Sequence, residues 1–368
     1  MAKKKFSAGL TVVSCFLALV IGFAAAFFLY TYLTRPKGGD VYVSGDLSIH
    51  FMELGNKYAG DSIYIKAGDT DILIDAGSRA GSTETTSAYI DRYCTDGVLE
   101  YVIATHADQD HIAGFAGSNS SPSMFDRFTC ETIITFNLTN QKMETASGNP
   151  TLYAKYVDQL QEAVDAGATH YTALQCCNNE DGAQRVFEVS DGIEMEILYN
   201  YYYENSSDEN NYSVCLMFNQ GDKHFLFTGD LEKEGEEYLV QYNELPKVEL
   251  FKAGHHGSGT SSNDALLSVI KPKIVCVCCC AGTDEYTDTP ANQFPTQDMI
   301  DRVAAYTDRV YVTSLGDESA EGGYTSMNGN IVVTSDGSGV SVNCSASNTL
   351  LKDTEWFKNN RKMPQEWA

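Results

Sequence analysis

Seven histidines occur in the 368 residues, and four of them fall into two tight clusters, His106 with His111 and His255 with His256. The first cluster reads Thr105-His106-Ala107-Asp108-Gln109-Asp110-His111 and begins where an apolar stretch, 98–105, stops. Four metal-capable side chains within six residues at a strand end can meet at one point without long-range folding. Two more apolar stretches end in the same way. Phe225–Thr228 delivers Asp230, and Leu250–Lys252 leads into Gly254-His255-His256-Gly257-Ser258. Three aspartates and at least three histidines exceed what one tetrahedral ion takes; they suit two ions with a carboxylate between them. Neighbouring side chains on an extended chain point opposite ways, so only one of His255 and His256 is expected to bind directly.

Around these clusters the pattern is strand-rich. Short apolar runs at 41–43, 47–54, 62–66, 71–75 and 98–105 come first. Helical spacing then appears at 151–166, where Leu152, Tyr156, Leu160 and Val164 share a stripe, and again at 231–242, 263–270 and 296–306. Strands are expected between and after them at 192–199, 213–218, 224–228, 273–280, 310–314, 329–334 and 339–344. With no repeat in the chain, this order predicts an α/β body of two sheets with outer helices. The expected division is 1–37 as an N-terminal anchor and linker, 38–345 as a single hydrolase domain, and 346–368 as a tail with no assigned role.

Lys3, Lys4 and Lys5 precede an apolar run from Phe6 to Leu33. That is long enough to cross a bilayer, which takes roughly 20 residues, and longer than the core of a cleaved signal, roughly 7–15. The expectation is a single-pass anchor in the cell membrane, with the body outside because the lysines favour an inside N-terminus. A signal cut near Ala26, releasing a secreted form, is the alternative. Five of the 25 basic residues and none of the 50 acidic ones lie in the first 37 residues, so the rest is strongly negative. Such a body repels polyanions at long range; a general nucleic-acid-coating role is excluded, and an anionic substrate needs a local positive device such as metal ions. Of the 11 cysteines, four crowd one apolar strand at Cys276, Cys278, Cys279 and Cys280. Alternation puts Cys276, Cys278 and Cys280 on one face and Cys279 on the other; ligands so close on one strand surround an ion poorly, so they read as buried small hydrophobes.

From Asp40 to Cys344 the chain resembles the metallo-β-lactamase superfamily, and within it the hydrolase domain of ComEC-type competence proteins. The resemblance is carried by Asp75-Ala76-Gly77, His106–His111 in the His-x-Asp-x-Asp-His variant, Asn210-Asn211-Tyr212-Ser213, Thr228-Gly229-Asp230, His255–Ser258 and the ending Thr325–Ile331. It implies an αββα sandwich with two divalent ions, Zn²⁺ or Mn²⁺, at the edge of the paired sheets. By carry-over, His106 and Asp108 hold one ion, Asp110 and His111 the other, Asp230 bridges, and His255 or His256 completes the second. Asp75 braces the His106–His111 loop, and Asn210 or Asn211 stands as a weak ligand where many relatives have a third histidine. Two departures are visible. The turn after the first strand is stretched to Gly55–Asp61, and Phe294-Pro295 or Thr289-Pro290 replaces a usual His-Pro.

The function expected from this set is phosphodiester hydrolysis, with DNA among the candidate substrates and competence-related DNA uptake as the setting, although transport segments are absent. Asp110 is expected to orient or deprotonate the attacking water, and Lys252 and Ser258 to contact the substrate. Hydrolysis of another ester, amide or lactam is the rival within the fold, and a non-catalytic metal-binding surface module is the rival outside it.

Overall fold

The computed structural model describes residues 46–368. The apolar run 6–33, Cys15, the linker at 36–39 and the strand expected at 41–43 lie outside them. Among the described residues no helix is long and apolar enough to cross a membrane.

Two eight-stranded sheets face each other. The first is built by β1 (Leu47–Phe51), β2 (Ile63–Ala67), β3 (Thr70–Ile74), β4 (Val98–Ala104), β5 (Thr129–Thr135) and β6 (Thr169–Thr172). The second follows with β7 (Val186–Ser190), β8 (Ile193–Leu198), β9 (Cys215–Gln220), β10 (Lys223–Phe227), β11 (Leu250–Lys252), β12 (Ile274–Ala281), β13 (Val310–Gly316) and β14 (Tyr324–Ser326). The chain then returns to the first sheet, where β15 (Ile331–Ser335) pairs with β1, and β16 (Val340–Cys344) closes the edge. The order is therefore 16-15-1-2-3-4-5-6 in one sheet and 14-13-12-11-10-9-8-7 in the other.

Each sheet has an antiparallel half and a parallel half: β3 to β6 run parallel, as do β10 to β13. Parallel strands need crossovers, and these supply the covering helices. Their strands are buried on both faces, which is why β12 reads as an unbroken apolar run and not as an alternation. Between the sheets the inward faces interlock, with Phe51 of β1 stacked on Phe227 of β10 at 6.3 Å between ring centroids. The outer face of the second sheet is covered by helices Lys233–Tyr242, Asp264–Ile270 and Gln297–Ala304. Cys276 and Cys278 belong to the core between the sheets and Cys279 to the outer one. All four thiols are buried, and burial pushes them above the ordinary thiol value, so they stay protonated and act as packing groups.

Several elements differ from the sequence expectation. Helices at Ser82–Ile90 and Gln109–Ala116 and strands β5 and β6 were not anticipated. Ser82–Ile90 is rich in Ser and Thr, four of which are buried, so no apolar stripe advertises it. The segment 346–368 is also no loose appendage. Phe357 and Trp367 are buried in the outer core, Trp367 Nε1 donates to the Thr307 carbonyl at 2.9 Å, and Arg361 reaches the 290–295 loop.

Candidate metal centre

Both parallel halves aim their C-terminal ends at the same edge, the place where open α/β sheets bind ligands. The aspartate and histidine candidates follow such ends, whereas Lys252 closes β11 itself and Asn210 and Asn211 precede β9. β3 runs into Asp75, β4 into His106–His111, β10 into Asp230, and β11 into His255 and His256. The His106–His111 segment is half loop and half helix, because the Gln109–Ala116 helix starts inside it. Asp110 therefore lies in the first helical turn, where the helix dipole favours a negative charge. This helix packs directly on the Asp75–Gly77 loop: a Cβ on Gly114 would stand 2.2 Å from the Ala76 carbonyl oxygen, so only glycine fits.

Asp110, His111, Asp230 and His256 each place a ligand atom within 4.8 Å of the others'. Asp230 Oδ2 lies 3.2 Å from His111 Nε2 and 3.1 Å from His256 Nε2, and Asp110 Oδ2 lies 3.3 Å from His256 Nε2. Both imidazoles present Nε2 because Nδ1 is engaged behind. His111 Nδ1 sits 2.7 Å from Asp75 Oδ2, and His256 Nδ1 sits 2.9 Å from the Cys278 carbonyl and 3.3 Å from Asp61 Oδ1. Metal-ligating histidines are characteristically oriented by such partners. Asp75 itself, in a left-handed conformation, accepts from Thr105 N at 2.8 Å and Thr105 Oγ1 at 2.7 Å. Through these bonds Asp75 ties the end of β3 to Thr105 and His111 of the ligand loop.

His106, its ring centroid 4.1 Å from that of His111, is fully buried, and its Nε2 has no hydrogen-bond partner and lies 3.7 Å from Asp108 Oδ2. An orphaned buried imidazole nitrogen beside a carboxylate suits a ligand position, so the convergent set of Asp110, His111, Asp230 and His256, with His106 nearby, fits divalent metal. Burial, and then the neighbouring His111, hold His106 down to about 3, so it is neutral and has a free lone pair. For His111 and His256 burial also opposes the cation. The Asp230 carboxylate, with Asp75 for one and Asp61 for the other, outweighs it and holds both well above the ordinary histidine value. Loading this donor set with dications means releasing those protons, so affinity must fall in acid.

The structure corrects several assignments. Lys252 does not face a substrate: its ammonium is 1% exposed and is enclosed by Asp61 Oδ2 at 2.5 Å, Asp230 Oδ1 at 3.3 Å and the Gly229 carbonyl at 3.0 Å. It is the internal counter-charge of the acids beneath the site. The His255-His256 pair is not extended; both residues are left-handed, with φ of 45° and 52°. His256 joins the convergent four, while His255 Nε2 stays 3.9 Å from Asp230 Oδ2 and its Nδ1 faces Thr260 at 3.1 Å and Glu232 at 3.5 Å. Asn211 turns away, donating to Ser207 and accepting from the Glu232 amide. Asn210 remains at the rim, 3.5 Å from His255 Nδ1. Asp108 is one-third exposed and accepts from Gln141 at 2.9 Å; burial and then Asp110 raise it to about 6. Ser258 bonds to Thr260 and lines a cavity beside the site.

Three participants were not singled out from the sequence. Asp61 ends the stretched turn after β1 and is a buried acid between Lys252 and His256. The order Gly60-Asp61 was its one signal: a Cβ on Gly60 would meet the Asp110 carbonyl oxygen at 2.7 Å. Glu209 ties the ligand loop to its neighbour, accepting from Ala107 N at 3.2 Å and Asn140 N at 2.6 Å. Tyr286, from the loop after β12, donates its hydroxyl to Asp110 Oδ2 at the mouth of the site. Nothing in the local sequence marks either of the last two.

Residues 55–118, which include the whole first ligand loop, match the family model described as the metallo-beta-lactamase superfamily. Among curated proteins, ComE operon protein 3 of Bacillus subtilis is 36% identical over 67 residues, 18% of this chain and 9% of that protein. Competence protein ComA of Neisseria gonorrhoeae is 32% identical over 126 residues, 34% of this chain and 17% of that protein. The chain thus aligns with under a fifth of the length of these relatives. Among solved structures, the metallo-beta-lactamase fold protein YhfI from Bacillus subtilis aligns at 10% identity and a TM-score of 0.39, over 72% of this chain and 95% of that one. The resemblance read from the motifs holds for this segment: the stretch bearing the first ligand loop is similar to the metallo-beta-lactamase superfamily, and competence proteins are among the relatives that the chain matches in part.

Proposed function

We propose that this chain is a membrane-anchored, outward-facing metallohydrolase that cleaves a phosphodiester. The observation that carries the reading is the convergence of Asp110, His111, Asp230 and His256, with the unpartnered His106 Nε2 on a ring packed against His111. In this reading His106 and Asp108 would hold one ion and Asp110, His111 and His256 the other, with Asp230 serving both; the carboxylates make the set oxygen-rich. Such a set is harder than a histidine-dominated one and favours Mn²⁺ as a competitor of Zn²⁺.

When bound, divalent ions supply Lewis acidity toward phosphoryl oxygens and a water-derived nucleophile at neutral pH. The chain's own residues do the rest. Asp75, Asp61 and the Cys278 carbonyl orient the imidazoles. Lys252 balances the buried carboxylates, and Asp110 orients the attacking water at the open face, where Tyr286 meets it. The charge of the body argues for a short or single-ended phosphodiester over a long polyanion. Anchoring rests on Lys3–Lys5 and the apolar run behind them; a reporter fused after Ala368 should report an external location, and a shortened soluble product would overturn the anchor.

The decisive experiment measures metal content and turnover together. Native protein should carry close to two divalent ions per chain and should hydrolyse a chromogenic phosphodiester with Mn²⁺ or Zn²⁺. Asp110→Asn should reduce that rate by about a hundredfold or more with unchanged circular dichroism. Less than half an ion per chain, or full activity in the variant, would return the protein to a non-catalytic binding module.

A further inference from the structure

We propose that Arg79 is the cation that receives the substrate phosphate at this centre, and that Glu285 and Tyr286 hold its place in the free chain as a strap that the phosphate displaces. The inference rests on the phosphodiesterase reading and adds how an anion is admitted. A body this acidic needs a positive group at the mouth of the site. Lys252 is buried beneath it and committed to Asp61 and Asp230. Arg79 stands at the rim, with its side chain 35% exposed. Its Nη1 donates to the Ser78 carbonyl at 2.7 Å and, with the Gln109 amide turned to accept, to that oxygen at 2.6 Å, which sets the guanidinium beside the residue preceding Asp110. The guanidinium carbon lies 3.8 Å from the centroid of the Tyr58 ring. One partner remains exchangeable: Nη2 lies 3.1 Å from Glu285 Oε1.

Glu285 belongs to the loop 283–293, between β12 and the Gln297–Ala304 helix. The base of the loop is closed. Gly282 N donates to the Phe294 carbonyl at 3.0 Å, and Arg361 donates to the Gln293 carbonyl at 2.6 Å and the Pro295 carbonyl at 2.9 Å. Between these points no residue is buried, and Tyr286 is 48% exposed. A loop with close ends and no buried side chain can open without unpacking the core. Its tip meets the centre through polar contacts. Glu285 Oε2 accepts from Ala59 N at 2.6 Å, and Tyr286 donates to Oδ2 of Asp110, the residue that orients the attacking water in the proposed function. Closed, the strap therefore keeps both Arg79 and Asp110 from a substrate. Burial raises the Glu285 carboxyl above its ordinary value against the pull of the Ala59 amide and Arg79, so the pair is held at a desolvation cost. A phosphodiester, or the monoester it yields, offers the guanidinium fork two free oxygens in place of one carboxylate oxygen. That exchange releases Glu285, and Tyr286 leaves Asp110 with it.

The test is titration calorimetry of methyl phosphate on the full chain with excess Mn²⁺, together with hydrogen exchange of the Ala59 amide. Arg79→Gln should weaken binding by about tenfold or more, as charge-assisted hydrogen bonds are lost. Glu285→Gln should strengthen it severalfold, because the competing carboxylate is gone, and that gain should vanish when Arg79→Gln is also present. In the wild type, methyl phosphate should speed exchange at Ala59, whose amide loses Glu285. A pair that only supports the fold would weaken binding in both single variants, and that result overturns the proposal. So does a gain from Glu285→Gln that persists without Arg79, since it would report only the removal of a negative charge. If Arg79→Gln does not fold, Glu285→Gln and the Ala59 amide decide: no gain in the first, or no change in the second, overturns it. Binding that follows the expected pattern without cleavage of any phosphodiester would sink the hydrolase reading and leave Arg79 standing as an anion contact. Cleavage with binding insensitive to Arg79 would do the reverse.

Discussion

At Asp230, three side chains from two sheets arrive with their donor atoms 3.1–3.3 Å apart, each imidazole backed by a carboxylate or a carbonyl. His106, whose ring packs on that of His111, is buried but has only the Thr105 and Ser213 hydroxyls behind it, at 3.2 and 3.4 Å. Its companions are looser: Asp108 is held by Gln141, and Asn210 is at the rim. The difference teaches that ligand identity alone does not make two equal positions. The partners behind the ligands decide how much of the geometry exists beforehand, and such partners are worth about 10–100-fold in metal affinity. The convergent side should therefore fill first and release last.

The largest effect expected from this asymmetry is at Asp230, which the proposed function has serve both ions. Asp230→Asn should lose both ions together and reduce activity to background, whereas His106→Gln should lose one ion and keep the other. Elemental analysis of the two purified variants checks this; loss of a single ion from Asp230→Asn would mean that the carboxylate serves one side only. Next comes Lys252, the shared counter-charge beneath both sides. Lys252→Met leaves Asp61 and Asp230 buried without their cation, and should cost about 3–5 kcal/mol in urea unfolding. A cost below about 1 kcal/mol would show that water reaches these acids and that the buried pair is not what holds the floor of the site.

The smallest effect concerns how the second ligand turn is mounted. Glu236 is fully buried and accepts from Ser262 N at 2.6 Å and Asn263 N at 2.8 Å, just beyond the His255–Ser258 turn. Burial raises its carboxyl to about 7, above the unfolded value near 4.5. The native state therefore takes up a proton as pH falls from about 7, before the unfolded chain does. Its contribution to stability should grow toward pH 5, by up to about 3 kcal/mol, and be lost again as pH rises through 7. Urea midpoints from pH 5 to 8, compared with Glu236→Gln, isolate it; parallel profiles for the two proteins would show that Glu236 keeps an ordinary affinity for its proton.

His106, Asp108, Asp110, His111, Asp230 and the His255-His256 pair were legible as candidates because each stands at the end of an apolar run. Strand ends are local events that residue order alone displays. The same holds for most of the strands and for the helices at 151–166 and 263–270, whose caps Thr151 and Asn263 stand next to the periodic residues. What residue order could not show is which side chain faces which. His256 rather than His255 joins the convergent four because two successive left-handed residues turn the chain after β11, a conformation held by packing between β12 and the Asp230 loop. Lys252 looks like a substrate contact in the sequence and is an internal ion pair in the fold, because Asp61, 191 positions earlier, is brought beneath it. Tyr286, Phe294 and Arg361 meet the site only through the loop after β12 and a C-terminal segment that packs back on it. By itself the sequence determined the ligand chemistry and the alternation of strands and helices, since those depend on neighbours a few residues apart. The tertiary structure alone decided the orientation of the ligands, the charge balance beneath them and the walls of the cleft, since these depend on contacts between residues distant along the chain.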